Sequence, residues 1–199
     1  MRYIGDLSRN DAALLHDLAR RAQTILEFGA GASTQVIARA SDPNAIITTL
    51  ETDAEWIEKT RTNLRRLNIT KQVEFVPYKE WVPNTGSRIY DLILDDGIDK
   101  LRLEFALKAW PLLRVGGLLL LHDTRRRKDF ENVLRFVSKA YLEVASVQFN
   151  ASSSNLTLIT KKTAEPWEDW NLAEGRERWE YAHEDPPPDF ESRWERRGL

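Results

Sequence analysis

The sequence predicts an α/β fold: a doubly wound, mostly parallel seven-stranded sheet with helices on both faces and a C-terminal antiparallel hairpin strand. Three observations carry that prediction. Short apolar runs alternate with amphipathic runs over most of the chain. The first apolar run ends in Gly29-Ala30-Gly31, glycines that permit a tight strand-to-helix turn. The last two apolar runs are separated only by Asn150-Ala151-Ser152-Ser153-Ser154-Asn155, too short for a crossover helix.

The elements follow in order. Asp11 to Ala22 places Leu14, Leu15, Leu18 and Ala22 on one helical face, and Ser8 with Asp11 three residues on reads as a capping box. Thr24 to Phe28 is a buried strand, and Ser33 to Ala40 a helix stopped by Ser41-Asp42-Pro43. Ala45 to Leu50 is β-branched and strand-like; Asp53 caps a helix running to Leu67. Val73 to Val76 is the third strand. A stretch with Pro77, Pro83 and Asn84-Thr85-Gly86 leads to the fourth strand, Ile89 to Leu94. Asp99 to Leu113 is read as one helix, Gly117 to Leu121 as strand five, and Phe130 to Ala140 as a helix. Val144 to Phe149 and Leu156 to Thr160 form the hairpin.

Length and composition bound the function. The 199 residues suffice for one substantial core, 42% of them are hydrophobic, and the formal net charge is −2. There is no cysteine, which excludes disulfides, thiolate nucleophiles and cysteine zinc sites. No apolar run is long enough for a bilayer span, and Met1-Arg2-Tyr3-Ile4-Gly5-Asp6 lacks an apolar leader, so a cytoplasmic location without membrane contact is expected. Two units are expected: residues 1–162 as the folded domain and 163–199 as a tail. From Thr163 onward there are 11 acidic and 5 basic residues, and four of the seven tryptophans. Those tryptophans imply that the tail packs, on the body or as a lid or homo-oligomer contact. The mildly basic remainder gives only weak support for a nucleic-acid partner, which is not expected.

In a parallel sheet of this kind, ligands bind at the carboxyl ends of the strands. Gly29-Ala30-Gly31 follows strand one, and Ser33 and Thr34 open a helix whose free N–H groups favour an anion. Glu51 follows strand two, twenty residues beyond Gly31; its carboxylate suits ribose hydroxyls or, more plainly, a helix start. Asp95-Asp96-Gly97 follows strand four, where adjacent acids need water, a cation or a substrate. His122-Asp123-Thr124 follows strand five and offers a general base, or a structural histidine at the sheet edge.

Over roughly Asp11 to Lys161 the chain resembles the class I S-adenosylmethionine (SAM)-dependent methyltransferases, which have a Rossmann-like fold. Ile25-Leu26-Glu27-Phe28-Gly29-Ala30-Gly31-Ala32-Ser33-Thr34 is similar to their first motif in its E-x-G-x-G-x-S-T form, and Thr49-Leu50-Glu51-Thr52-Asp53 to their second. Tyr90 to Gly97 and Leu112-Leu113-Arg114-Val115-Gly116-Gly117 resemble the motifs around strands four and five. The resemblance implies SAM as cofactor, with Gly29, Ala30, Gly31 and Ser33 along its methionine part, Glu27 near its amino group and Glu51 on its ribose. It extends the cofactor set to Asp95, and to Glu80 or Trp81 in the segment Pro77-Tyr78-Lys79-Glu80-Trp81, which departs from the family's usual adenine-binding Gly-Asp-Ala. His122, Asp123 and Asp96 become the expected base or acceptor-orienting groups, and a small-molecule or sugar hydroxyl the expected acceptor. Metal-dependent members hold a divalent cation with an Asp after strand four and Asp-Asn after strand five. Asp95 or Asp96 and Asp123 match that pattern in part, Thr124 does not, and metal use stays open.

Three other readings compete. A nucleotide-binding oxidoreductase requires a third glycine where Thr34 stands. A scaffold without methyl transfer fits poorly with the intact glycine turn and Glu51. A nucleic-acid methyltransferase acting on exocyclic amines would carry Asn/Asp-Pro-Pro-aromatic where Asp95-Asp96-Gly97-Ile98 stands. Arg125-Arg126-Arg127-Lys128, just after strand five, is either a solvated face or a site for an anionic acceptor.

Overall fold

A computed structural model describes residues 2–82, 88–139 and 145–164. The expected tail lies outside the described residues from 165 onward, as do Pro83 to Ser87. Within the described residues the elements are α1 (Arg9–Ala19), β1 (Thr24–Phe28), α2 (Ala32–Ala40), β2 (Ile46–Glu51), α3 (Ala54–Arg66) and β3 (Glu74–Pro77). They continue with β4 (Tyr90–Asp95), α4 (Arg102–Ala109), β5 (Leu113–Leu121), α5 (Arg127–Lys139), β6 (Ala145–Gln148) and β7 (Thr157–Lys161).

The strands form a seven-stranded sheet in the order β3-β2-β1-β4-β5-β7-β6. The first five run parallel, and β7 pairs antiparallel with both β5 and β6. The expected mixed, doubly wound sheet is therefore the observed one. Side-chain parity along the strands builds its two cores. Ile25, Ile47, Leu92, Leu94 and Leu120 face α1, α2 and α3. Leu26, Phe28, Leu50, Ile93, Leu119 and Leu121 face the opposite core, with Phe105, Ala106, Ala109 and Trp110.

Three elements differ from expectation. Ser8 does cap α1, accepting from the Asp11 N–H at 3.1 Å, but the Asp11 side chain does not complete a capping box. The helix expected over 99–113 divides into 3₁₀ turns at Asp99–Leu101 and Trp110–Leu112 around α4. Pro111 lies in the second turn; it has no N–H to donate and cannot continue an α-helical ladder. Strand β5 then begins at Leu113 rather than Gly117. Leu113 pairs with Tyr90 and Leu118 with Leu92, so Arg114 to Gly117 bulge out of register around Gly116 at φ +78°.

Candidate active site

The order of the strands reverses between β1 and β4, and the chain leaves the sheet there by short polar turns. The Gly29 N–H bonds Leu50 O at 2.8 Å, Asp96 N–H bonds Phe28 O at 2.9 Å, and His122 N–H bonds Asp95 O at 3.0 Å. The ladder thereby continues one residue past each strand end and fixes the turns relative to one another.

Gly29 and Gly31 are glycines for different reasons. Gly29 has φ +94°, and a Cβ there would lie 2.4 Å from the carbonyl oxygen of Asp96. Only glycine fits at that crossing. Gly31 is extended at φ 174°, and a Cβ on it would meet nothing within 4 Å. That side of the turn is open to a ligand.

Under the turn, Glu27 is fully enclosed. Its carboxylate accepts hydrogen bonds from Ser33 Oγ at 2.6 Å, Thr34 Oγ1 at 2.7 Å and Thr49 Oγ1 at 2.8 Å. Thr34 Oγ1 in turn accepts from the Gly31 N–H at 2.9 Å. Burial pushes the Glu27 carboxyl up to about 7, against the pull of the three hydroxyls. The Glu27 and Ser33 side chains thus face each other beneath the turn and brace it. Parity is the reason, since Glu27 shares the face of Ile25, which packs under α2.

Glu51 meets the turn from β2. Its Oε2 accepts from the Ala30 N–H at 2.8 Å, and its Oε1 from the N–H groups of Thr52 and Asp53 at 2.6 and 3.0 Å. After β3, Glu80 is exposed, while Trp81 packs edge-on against Phe28 with ring centroids 5.4 Å apart.

Asp95 and Asp96 point opposite ways. Asp95 shares the parity of Ile93, is fully buried, and its oxygens meet no well-placed hydrogen-bond donor among the described residues. Burial raises its carboxyl well above the usual range, with the Arg102 charge opposing. It abuts a void of about 10 Å³ lined also by Arg102, Leu121, His122 and Asp129. Asp95 thus turns toward α4. Asp96, its neighbour, reaches the mouth.

His122 lies between two carboxylates, with Nδ1 2.7 Å from Asp96 Oδ1 and Nε2 3.3 Å from Asp11 Oδ2. Burial would lower its pKa, but Asp96, Asp11 and Asp123 outweigh that and push it up to about 10. With a carboxylate at each ring nitrogen, the geometry favours the structural reading of His122 over the general base. His122 holds Asp96 in place. Asp123 follows at φ +60°, a left-handed conformation that costs a non-glycine residue energy, and its carboxylate bonds Arg126 NH2 at 2.6 Å.

Two residues at the centre were not anticipated. Asp11 crosses from α1 to accept from the Asn155 N–H at 2.6 Å and Nδ2 at 3.1 Å, besides His122. Arg102, on α4, is 7% exposed and spends every N–H of its guanidinium. Nε donates to Gly97 O at 3.0 Å and NH1 to His122 O at 2.9 Å. Carboxylates of Asp129, Asp99, Asp123 and Asp96 lie at 3.2, 3.4, 3.4 and 3.5 Å. Both positions carried a signal, since each is a charge on an otherwise apolar helical stripe: Asp11 with Ala12, Leu15 and Ala19, and Arg102 with Phe105, Ala106 and Ala109.

Ligand atoms of Asp96, His122 and Asp123 all lie within 4.8 Å of one another, a spacing that could hold a metal ion. The charges around them do not suit one. Asp96, Asp99, Asp123 and Asp129 are already matched by Arg102, Arg126, Lys128 and the His122 imidazolium. Thr124 Oγ1 is 2.8 Å from Thr157 Oγ1 and donates to Asn155 O at 3.1 Å. Most of the basic run is likewise engaged, Arg126 with Asp123 and Asp129, Lys128 with Asp99 and Arg127 with Glu131. An anionic acceptor draws no support from those three side chains.

No family model matches the chain. It is similar to the catechol O-methyltransferase of Mycobacterium tuberculosis, at 29% identity over 112 residues, 54% of this chain. The match spans 51%, about half, of that relative's length. Among solved structures it is similar to the O-methyltransferase TomG of Streptomyces achromogenes, involved in tomaymycin synthesis and solved with SAM: TM-score 0.61, 19% identity, 79% of this chain and 82% of that one. An O-methyltransferase from Bacillus cereus in complex with S-adenosylhomocysteine (SAH) gives TM-score 0.61 and 20% identity over 79% of this chain and 83% of that one. At these identities the structural likeness establishes the fold. No helix among the described residues is long and apolar enough to cross a membrane.

Proposed function

We propose that this protein transfers the methyl group of SAM to a hydroxyl of a small molecule. One observation carries the reading: the glycine turn that Gly29 locks against Asp96 is open on its Gly31 side and is bonded by Glu51 through Ala30. The turn and a carboxylate suited to ribose are thus built as one unit, on a fold shared with structures solved with SAM and SAH.

The residues present fit SAM. The backbone from Gly29 to Gly31 and the start of α2 would take its methionine part, Glu51 its ribose, and the end of β3 near Glu80 and Trp81 its adenine. SAM supplies an activated methyl on a sulfonium, so the protein need only align the acceptor and take its proton. Asp96 and Asp123 are the half-buried carboxylates at the mouth that could do so. His122 and Arg102 hold them in position without themselves accepting a proton. The cysteine-free sequence agrees with a cytoplasmic setting.

Calorimetric titration with SAH against NADH tests the cofactor. Binding of SAH and none of NADH is expected, and Glu51→Ala should weaken SAH at least tenfold, since hydrogen bonds to a charged group contribute about 1.5–3 kcal/mol. SAH binding unaffected by Glu51→Ala would reject the ribose assignment. A methyl-transfer screen should start with catechol, because the mycobacterial relative is a catechol O-methyltransferase. Asp96→Asn and Asp123→Asn should each lower kcat by about 10²-fold or more, the usual loss for a general base, while leaving SAH affinity nearly unchanged.

A further inference from the structure

The strand-end cluster has the side-chain spacing of a cation site and already contains a cation. Arg102 reaches it from α4, buried, with Gly97 O and His122 O fixing two edges of its guanidinium plane. The remaining N–H groups face Asp96 and Asp123, which also belong to the ligand-like cluster, together with Asp99 and Asp129. A planar fork with five donors binds several carboxylates at fixed angles, as a divalent ion would through oxygen ligands. A second centre of positive charge at the same carboxylates would meet Arg102 and Arg126 at close range.

We propose that Arg102 is the built-in cation of this site, a positioning residue that holds Asp96 and Asp123 where a divalent metal would otherwise hold them, so the site takes no metal. The methyl-transfer reading enters only in calling these carboxylates the acceptor's partners. The charge replacement itself can be tested without turnover.

The test is Mn²⁺ binding to the full chain, read by the electron paramagnetic resonance signal of free Mn²⁺ and by calorimetry, beside SAH titrations with and without EDTA. Wild type should show no stoichiometric Mn²⁺ site tighter than about 1 mM, the weak end of protein divalent-cation affinities. EDTA should not change SAH affinity. Arg102→Met removes the charge but keeps bulk, and should gain one Mn²⁺ per chain together with a metal-dependent rise in Tm. Arg102→Lys keeps a charge without the fork; it should stay metal-free and be less stable than wild type. One Mn²⁺ per wild-type chain, lost in Asp123→Asn, would overturn the proposal, as would a folded Arg102→Met that binds no Mn²⁺. If Arg102→Met does not fold, the wild-type and Arg102→Lys titrations decide, and Mn²⁺ on either one overturns it. Failure of SAH to bind at all would instead reject the methyl-donor reading and leave the Mn²⁺ result intact.

Discussion

Gly29 and Gly31 share a motif and predict opposite mutational outcomes. Gly29→Ala must relieve a contact with the Asp96 carbonyl at 2.4 Å and a positive φ, so about 2–4 kcal/mol of stability should be lost. Gly31→Ala has open space and extended backbone, so its Tm should hold while SAH affinity falls tenfold or more. Denaturant melts and calorimetry on the pair check this; equal stability losses would mean that Gly31 is not on the ligand side. The turn and Glu51 were legible in the sequence because glycines and an acid at strand ends are conspicuous locally. The inward aim of Glu27 and Asp95 was legible only through strand parity. What was not legible is the pairing of Asp11 with His122 and Asn155, which lie 111 and 144 residues away.

Burial of charge sets the pH response at the same scale. His122 rises from 6.5 to about 10 on folding, so its stabilisation is complete below pH 6.5 and lost as pH climbs through 10. Glu27 rises from 4.5 to about 7; its folded form keeps the proton longer, so stability also falls as pH rises from 4.5 to 7. Below that range Asp11, Asp91 and Asp99, all lowered on folding, protonate and withdraw stability. Stability should therefore peak in mild acid, near pH 5. Melts at pH 5, 7 and 9 should show a falling Tm, and Glu27→Gln should reduce the loss between pH 5 and 7 by roughly 3 kcal/mol at most, the raised Asp95 contributing to what remains. A Tm that rises from pH 5 to 9 would show that neither group is perturbed as the geometry requires.

At the scale of elements, periodicity found each strand and α-helix of the described residues but misplaced some of their joints. The single helix expected over 99–113 is divided because Pro111 falls inside an otherwise amphipathic run, and β5 begins early because its glycine pair bulges rather than turns. The docking of α1 is set by a charge instead of by its apolar stripe alone. Asp11 is fully buried and bonds the backbone N–H of Asn155, between η-turn Ala151–Ser153 and β7, as well as His122. Asp11→Ala should cost about 3–5 kcal/mol, the range for breaking a buried ion pair by removing one partner. Hydrogen exchange should show lost protection at α1 and Asn155 before β1 and β4 change. Uniform loss across the sheet would mean that α1 does not dock as a separate unit.

For the whole molecule, all seven strands of the described sheet precede the acidic, tryptophan-rich segment. β7 is hydrogen-bonded on both sides, by β5 and β6, and Lys161 at its end donates to Trp110 O and Leu113 O at 2.9 and 2.8 Å. Every residue proposed for the methyl donor lies between Gly29 and Trp81. Among the described residues, no buried core residue lies beyond Ile159. A chain ending at Ala164 should therefore fold cooperatively and bind SAH with the affinity of the full chain. Whatever residues 165–199 contribute should appear in acceptor turnover or in self-association, measured by sedimentation of the two chains side by side. An aggregated or SAH-blind shortened chain would place part of the folding information in the segment and make the 1–162 boundary wrong. Cooperative melting with unchanged SAH affinity would leave acceptor choice and assembly as the properties that segment can still govern.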